Sequence, residues 1–219
     1  MAKTEVENIL QEIGAKPSIS EEHGLELISP SDLSVFCPGI STGGIAEIRM
    51  ASSCPDRRVV ATTIDPKGHE FALANVNELG LGEQIEIKLE DLTKEFPYNP
   101  DSFDFIYARL VLHYLSYQDL GAVLSRFRQA IKPSGRLFVV VRSEKNVAGR
   151  GLPYDPETRF TREPWGARYF HTPESITNHL IEAGFEIVSL DEYQEQLYVD
   201  FMRTKVAPVK DHVIEVLAV

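Results

Sequence analysis

The residues best suited to bind a ligand are three glycines and one acidic residue. Gly39, Gly43 and Gly44 follow the apolar run 33–37, and Asp65 ends the next apolar run. Glycine lets a chain turn tightly and approach a ligand closely, and an acid at the end of a second strand can accept both hydroxyl hydrogens of a ribose. This spacing predicts a nucleoside-binding turn. The alternatives are a plain strand-to-helix turn for the glycines and a helix cap for Asp65.

Further polar residues lie where two more strands are predicted to end. Glu90 and Asp91 follow the alternating run 85–89, and His113 follows the apolar run 103–107. A histidine has an ordinary pKa close to neutral, so His113 is the candidate general base if a bound acceptor needs deprotonation. The alternative is a histidine that packs beside its apolar neighbours.

Basic residues near these positions can bind an anionic group. Arg109 lies just past the fourth predicted strand and is expected to pair with a ligand carboxylate or with Asp104. A second basic stretch could face an anionic small molecule, although solvated loop charge is the more frequent explanation. That stretch contains Arg142, Lys145, Arg150, Arg159, Arg162 and Arg168.

The elements that must position these residues alternate between strand and helix. Strands are predicted at 33–37, 59–65, 85–89, 103–107, 137–141, 186–190 and 213–217. Helices are predicted at about 4–14, 44–50, 72–79, 120–131 and 172–181. The segments 143–170 and 191–211 are predicted to be irregular. The alternation predicts one doubly wound α/β domain over residues 1–219, which binds its ligand beyond the carboxyl ends of the strands.

The combination resembles the class I S-adenosylmethionine-dependent methyltransferases over residues 34–190. Residues 35–43 stand where that family has an apolar pair, an acid and a Gly-x-Gly-x-Gly loop. Asp65 matches the ribose-binding acid, 101–115 is similar to the fourth-strand signature, and 132–137 is similar to the turn before the fifth strand. The resemblance implies a Rossmann-like, doubly wound sheet of seven strands, mostly parallel, with an antiparallel C-terminal strand.

The resemblance also implies S-adenosyl-L-methionine as the cofactor and a set of residues that bind it. Either a carboxylate or the backbone of 90–92 is expected to bind the adenine amine. The cofactor-binding residues are expected to be Pro38, Gly39, Ser41, Gly43, Asp65, Pro66, Glu90, Asp91, Leu92 and Arg109.

Two residues of the first loop depart from the family pattern. Cys37 takes the place of the acid that helps orient the methionine ammonium group, and Ser41 takes the place of the middle glycine. The expected activity is methyl transfer to an O, N or C atom of a small-molecule acceptor. The alternative is a catalytically silent binding protein of the same fold. An NAD-dependent oxidoreductase is disfavoured because Ser41 replaces the glycine that a dinucleotide pyrophosphate needs.

The connection 143–170 is predicted to act as a lid or insert. Its aromatic residues are Tyr154, Phe160, Trp165, Tyr169 and Phe170. Such residues can close over an acceptor and expel water, or they can simply pack the connection onto the domain. Tyr114, Trp165 and Tyr169 are the candidate substrate-binding residues.

Composition and charge narrow the class of protein. The 219 residues are 43% hydrophobic and 25% charged, which is typical of a globular domain. With 22 basic and 33 acidic residues, the surface should repel nucleic acid. No apolar run is long enough to span a membrane, and the N-terminus lacks a secretory signal pattern, so a cytoplasmic location is expected. The two cysteines suggest neither a disulfide framework nor a metal site, and a homodimer is left open.

Overall fold

The structure is a computed structural model that describes residues 8, 16–94, 96–149, 154–163, 166–199 and 207–219. The helices are α1 (Ile19–Glu26), α2 (Ile45–Ser52), α3 (Pro66–Glu78), α4 (Tyr117–Ala130) and α5 (Pro173–Glu182). The strands are β1 (Ser34–Pro38), β2 (Arg58–Thr63), β3 (Ile85–Leu89), β4 (Phe103–Arg109), β5 (Ile131–Arg142), β6 (Tyr154–Asp155), β7 (Phe160–Glu163), β8 (Gly166–Tyr169), β9 (Ile187–Val199) and β10 (Ala207–Ala218). The helix predicted at about 4–14 lies outside the described residues except for residue 8.

Seven strands form one sheet in the order β3-β2-β1-β4-β5-β10-β9. The first five strands pair in parallel, and β10 lies antiparallel between β5 and β9. This arrangement confirms the predicted Rossmann-like sheet with its antiparallel C-terminal strand. The strand order reverses between β1 and β4, which is the place where such sheets bind their ligands.

Successive side chains of the central strands pack against opposite faces of the sheet. Phe36 lies in one apolar cluster with Phe127 of α4, whereas Val35 and Cys37 lie in a second cluster with Ile48 of α2. Both faces of β1 are therefore covered by helices. This burial on two sides explains why the strand is continuously apolar instead of alternating.

The prediction of an irregular segment at 191–211 is wrong for the part of it that the structure describes. β9 continues to Val199 and β10 begins at Ala207, and these two residues pair. Gln194, Gln196 and Lys210 are exposed in this region. The two strands stabilise each other by antiparallel backbone hydrogen bonds, which do not require an apolar side-chain pattern.

The boundary between α4 and β5 also differs from the prediction. Ile131 was expected to end the helix, but it begins β5, six residues before the predicted start of that strand. Ile131 pairs with Phe103, and the register between β4 and β5 then shifts before Phe105 pairs with Arg136. The predicted turn at 132–135 is therefore an irregularity inside a longer strand.

A small sheet and one helix are absent from the strands and helices predicted from the sequence. The connection 143–170 contains a three-stranded antiparallel sheet of β6, β7 and β8, which we call the lid sheet. Helix α1 was missed because it buries Ser20 and Gly24 in place of an apolar stripe. A Cβ on Gly24 would lie 2.5 Å from the rings of Tyr107 and Phe138, so the helix depends on this glycine to approach the sheet. None of the described helices is long and apolar enough to cross a membrane.

Candidate functional site

The carboxyl ends of β1, β2 and β3 lie side by side. Pro38 pairs with Thr62, and Thr63 pairs with Leu89. The backbone amide of Gly39 donates to the Thr62 carbonyl at 2.9 Å, so the glycine loop starts directly beside β2. The residues that follow these three strands are thus neighbours along one edge of the sheet, as the sequence predicted.

The glycines of the loop are required by conformation and by close packing. Gly39 and Gly43 have φ angles of +80° and +66°, in the left-handed region that favours glycine. A Cβ on Gly39 would lie 2.7 Å from the Val111 side chain, and one on Gly43 would lie 2.9 Å from Asn75 Nδ2. Asn75 Nδ2 also donates to the Gly43 carbonyl at 2.8 Å. The loop is therefore held between α3 and the segment after β4.

Ser41 fastens the loop to α2. Its Oγ donates to Glu47 Oε2 at 2.5 Å, and its backbone amide donates to Glu47 Oε1 at 3.2 Å. The same Oγ accepts from the amide of Ala46 at 3.0 Å, in the first turn of the helix. A glycine could make none of the side-chain bonds. The serine that replaces the middle glycine of the loop is thus explained by the hydrogen bonds that its hydroxyl makes with Glu47 and Ala46.

Glu47 is a buried acid that the sequence-based prediction missed. It is 1% exposed, and burial raises the pKa of its carboxyl group above the ordinary value, although its bonds with Ser41 oppose that shift. The sequence feature that could have pointed to Glu47 is its position, an acidic residue three places after Gly44 in the otherwise apolar first turns of α2. Glu47 thus brings a carboxylate to the glycine loop. The position before the loop where the resemblance implies an acid is occupied by the thiol of Cys37.

Cys37 packs as a neutral thiol beside this acid. The side chain is fully buried, and its Sγ lies 3.6 Å from Met50 Sδ. Burial raises the pKa of the Cys37 thiol well above the ordinary value, and the charge of Glu47 raises it further. Cys37 therefore contributes to the packing of α2 against the sheet and cannot supply the negative charge found at this position in the family.

Asp65 begins α3. Its Oδ1 accepts from the amide of Lys67 at 3.1 Å, and Pro66 occupies the first turn of the helix. The cap that was the alternative explanation for Asp65 is thus confirmed. The cap keeps the Asp65 carboxylate at the edge of the sheet, so the same side chain can also bond a ribose. The bond to a ribose stays a prediction.

Two large apolar side chains are exposed at this same edge, and sequence reasoning did not single them out. Ile64 directly precedes Asp65 and is 75% exposed, and Leu89 ends β3 and is 54% exposed. The signal was an apolar residue at the end of each of two adjacent strands. Each therefore leaves an exposed apolar side chain next to one acid of this edge, Ile64 beside Asp65 and Leu89 beside Glu90.

Glu90 and Asp91, the acidic pair after β3, lie in two different environments. Glu90 Oε2 accepts from the Tyr98 hydroxyl at 2.9 Å, while its buried Oε1 has no hydrogen-bond partner among the described residues. Asp91 Oδ1 accepts from the amide and hydroxyl of Thr93, and these bonds lower the pKa of Asp91. Leu92 is buried in the core, so only its backbone can face a ligand.

Arg109 is turned toward α1. Its Nε donates to Ser20 Oγ at 2.8 Å, it hydrogen-bonds Ser18, and it lies 3.9 Å from Glu21. The expected alternative pairing with Asp104 does not occur, because Asp104 bonds Lys132 at 2.7 Å. These contacts favour a structural role for Arg109 over the predicted bond to a ligand carboxylate.

His113 lies in the short turn Leu112–Tyr114 after β4. The ring is 1% exposed and packs on Tyr114 with a centroid distance of 4.5 Å. Burial lowers the pKa of His113 well below its ordinary value, and the charges of Arg168 and His171 lower it further. A group with so low a pKa is a weak general base near neutral pH, so this environment favours the packed alternative over the predicted base.

The lid sheet packs on the same turn. Arg168 of β8 donates from Nη2 to the Tyr114 hydroxyl at 3.0 Å. Tyr169 lies 5.7 Å from the Tyr117 ring and 5.1 Å from the Phe160 ring, measured between centroids. The described aromatics thus pack the connection onto the domain. Trp165, the third candidate substrate-binding residue, lies outside the described residues.

Known proteins show the same domain and fold. The family model described as a methyltransferase domain matches residues 37–139. A methyltransferase structure from Methanosarcina mazei has 18% identity and a TM-score of 0.66, and covers 88% of this chain and 94% of its own. The PH0226 protein of Pyrococcus horikoshii OT3 has 12% identity and a TM-score of 0.70, with 97% and 89% covered.

A third similar structure is described as the [4+2]-cyclase SpnF. It has 22% identity and a TM-score of 0.62, and the match covers 78% of this chain and 58% of the SpnF chain. No curated protein matches the sequence. At these identities the solved structures show the fold, and the domain match covers residues 37–139, a little under half of the chain.

Proposed function

Since a methyltransferase-domain model matches residues 37–139 and the fold is that of methyltransferase structures, we propose that the chain is a class I S-adenosylmethionine-dependent methyltransferase and binds S-adenosylmethionine at the edge described above. We further propose that it transfers the methyl group to an O, N or C atom of a small-molecule acceptor. The observation that carries the proposal is the alignment of the glycine loop, Asp65 and Glu90 after three adjacent strands.

The residues of this edge fit the parts of the cofactor. The Asp65 carboxylate is suited to accept from the two ribose hydroxyls. The exposed side chains of Ile64 and Leu89 offer an apolar surface for the adenine ring. Glu90 Oε1, which has no partner in the described part of the chain, is suited to accept from the adenine amine. Gly39 supplies the positive φ and the close contact with Val111 that shape the loop.

The chemistry requires little from the protein beyond position. S-adenosylmethionine supplies an activated methyl group, so no nucleophilic side chain is needed. The protein must hold the acceptor in line with that group and exclude water, and proximity alone can contribute roughly 7–11 kcal/mol. The turn at 112–114 follows β4, across the strand-order reversal from β2 and β3, and the lid sheet packs on this turn, so we propose that these two regions hold the acceptor.

The methionine end of the cofactor is where this chain differs from its family. Cys37 cannot provide the usual charge, and the nearby carboxylate of Glu47 is bonded to Ser41. We propose that Glu47 shapes the loop through Ser41 and so compensates for the missing acid. The Ser41 hydroxyl is then part of the support of the loop and is not the residue that bonds the methionine carboxylate.

A second candidate function is a protein of the same fold that binds a ligand without methyl transfer. The neutral Cys37 favours it, because the family's acid is absent. The structure described as a [4+2]-cyclase has the same fold, so the fold is not restricted to methyl transfer.

Calorimetric titration with S-adenosylmethionine, S-adenosylhomocysteine and NAD tests the proposal. We expect the first two to bind and NAD not to bind. Asp65→Ala should remove most of the affinity for S-adenosylhomocysteine and about 1 kcal/mol of stability, because it loses both the ribose bonds and the cap.

Asp65→Asn separates these two roles of the side chain. Asparagine caps a helix as well as aspartate does, so the stability should stay while the affinity falls. An unchanged affinity in both variants would contradict the ribose assignment, and absence of binding by either methionine compound would leave only the second candidate function.

A further inference from the structure

Leu110, the residue directly after β4, has a strained backbone. Its φ angle is +55°, in the left-handed region that favours glycine. In this region the Cβ of other residues crowds the following carbonyl oxygen, and only Asn and Asp adopt it with some ease. Among the non-glycine residues that the structure describes, Asp101 and Arg159 also have a positive φ, and Leu110 is the apolar one of the three. Strained residues of this kind concentrate at functional sites.

Leu110 lies where the strand order of the sheet reverses. β1 and β4 are parallel neighbours, and each is followed directly by a residue with positive φ. After β1 this residue is Gly39, and after β4 it is Leu110. Both lie at the edge of the sheet where we place the cofactor. A glycine would avoid the strain at either position, so the leucine after β4 requires an explanation.

Leu110 is anchored on one side of the sheet, and the next residue packs on the other side. Leu110 lies against the apolar cluster that contains Cys37, whereas Val111 lies against the cluster that contains Phe36. The amide of Leu110 also donates to the Val140 carbonyl of β5 at 2.8 Å. The side chain and the amide together fix the conformation of Leu110. A glycine would lack the side-chain anchor and could adopt other backbone angles.

Val111 carries the effect of this backbone to the glycine loop. A Cβ on Gly39 would lie 2.7 Å from Cβ and Cγ2 of Val111, so the valine side chain lies directly against the loop. The Val111 carbonyl accepts from the Tyr114 amide at 3.1 Å and so closes the turn at 112–114. Val111 therefore contacts the cofactor loop and is bonded to the turn on the proposed acceptor side.

We propose that Leu110 is a positioning residue for methyl transfer, because its left-handed backbone holds Val111 against Gly39 and so sets the spacing between the cofactor loop and the turn at 112–114. This inference rests on the proposed function, since it assumes that cofactor and acceptor lie on these two sides. In-line transfer requires a fixed spacing of the two reactants. A leucine held by the core provides that spacing better than a mobile glycine.

Two substitutions at this position separate the strain from the packing of the side chain. Leu110→Ala removes most of the side chain and keeps the strain, while Leu110→Gly removes the strain as well. In urea denaturation, Leu110→Gly should therefore have a higher midpoint than Leu110→Ala, the reverse of the usual order. In calorimetry, Leu110→Gly should nevertheless bind S-adenosylhomocysteine at least threefold more weakly than Leu110→Ala, because a glycine lets Val111 move away from the loop.

Asp101 provides the matched control. It also has a φ of +55°, but it precedes β4 and so lies at the opposite edge of the sheet. Asp101→Gly should have a higher urea midpoint than Asp101→Ala, and both variants should bind S-adenosylhomocysteine as the original chain does. Weaker binding by Asp101→Gly would mean that relief of strain lowers the affinity from any part of the fold, and it would overturn the assignment to Leu110.

A double-mutant cycle tests whether Leu110 acts through Val111. Val111→Ala shortens the side chain that lies against Gly39. In that background, Leu110→Gly should weaken the binding of S-adenosylhomocysteine by a smaller factor than it does in the original chain. Equal factors in the two backgrounds would show that the effect does not pass through Val111, and the positioning role would be wrong.

The two proposals fail in different ways in these experiments. If S-adenosylhomocysteine binds the original chain and both Leu110 variants with equal affinity, the positioning role is overturned and the proposed function stands. A lower urea midpoint for Leu110→Gly than for Leu110→Ala also overturns the positioning role, because the backbone is then not strained. If S-adenosylhomocysteine does not bind the original chain, the proposed function is overturned, and the positioning role is overturned with it.

Discussion

The glycine loop (residues 39–44) and the buried histidines His113 and His171 differ in how their side chains are bonded. In the loop, Ser41 bonds Glu47 and Ala46, and Asn75 bonds Gly43. In the two histidines, three imidazole nitrogens lack partners within the described residues. Side-chain hydrogen bonds thus hold the loop, whereas packing holds the histidine rings.

This difference indicates two ways of holding a buried polar side chain. Hydrogen bonds that fix the loop before a cofactor binds lower the ordering cost of binding. Unbonded buried nitrogens instead cost stability, which the packing around them must offset. We therefore expect changes in the loop to affect stability and cofactor affinity together, and changes at the histidines to affect stability and its dependence on pH.

The largest effect is expected at Gly39. Gly39→Ala places a Cβ within 2.7 Å of Val111 at a φ of +80°, so strain and overlap together should lower the free energy of unfolding by about 3 kcal/mol. Gly80→Ala is the matched control, since Gly80 has a φ of +67° and no atom within 4 Å of the added Cβ. It should cost about 1 kcal/mol. Equal losses in urea denaturation would mean that the packing of the loop against Val111 is unimportant.

A smaller effect is expected from the bond between Ser41 and Glu47. In a double-mutant cycle of Ser41→Ala and Glu47→Leu, the two changes should be coupled by about 2 kcal/mol, because each single change leaves a buried polar group without its partner. Chemical denaturation of the four proteins measures this coupling. Additive losses would show that Glu47 does not support the loop through Ser41, and our account of the altered loop would then be wrong.

The smallest effect concerns His171 and pH. Burial, together with the charges of His179 and Arg159, lowers the pKa of His171 from 6.5 to about 3. The unfolded chain takes up a proton at this residue as the pH falls below 6.5, and the folded chain does not, so stability falls with falling pH. Between pH 6.5 and 5.5 this residue should account for a loss of about 1 kcal/mol.

Replacing the titrating group tests this pH dependence. His171→Phe should reduce the loss of stability between pH 6.5 and 5.5 by that amount, as measured by urea denaturation at the two values. A variant of His171 with the original dependence would mean that its ring is protonated in the folded protein, contrary to its burial.

The order of elements was accessible from the sequence because buried strands are marked by apolar residues. The runs around Val35, Val59 and Phe105 fill both faces of the sheet, and each was predicted as a strand. The extensions of β9 and β10 were not predicted, since paired backbone can carry polar side chains. Helix α1 was missed because Gly24, a poor helix former, is what allows its close contact with the sheet.

The sequence by itself determined the fold class and placed the loop, Asp65 and Glu90 at the ends of three strands, because the order of elements along the chain and the strand ends follow from local patterns. Only the tertiary structure decided how these residues are used. It joined Glu47 to Ser41, turned Arg109 toward α1, and placed His113 beside His171 and Arg168, which are more than 50 residues away in the chain. Burial and the pKa values that follow from it depend on such distant neighbours, and no local pattern of residues contains them.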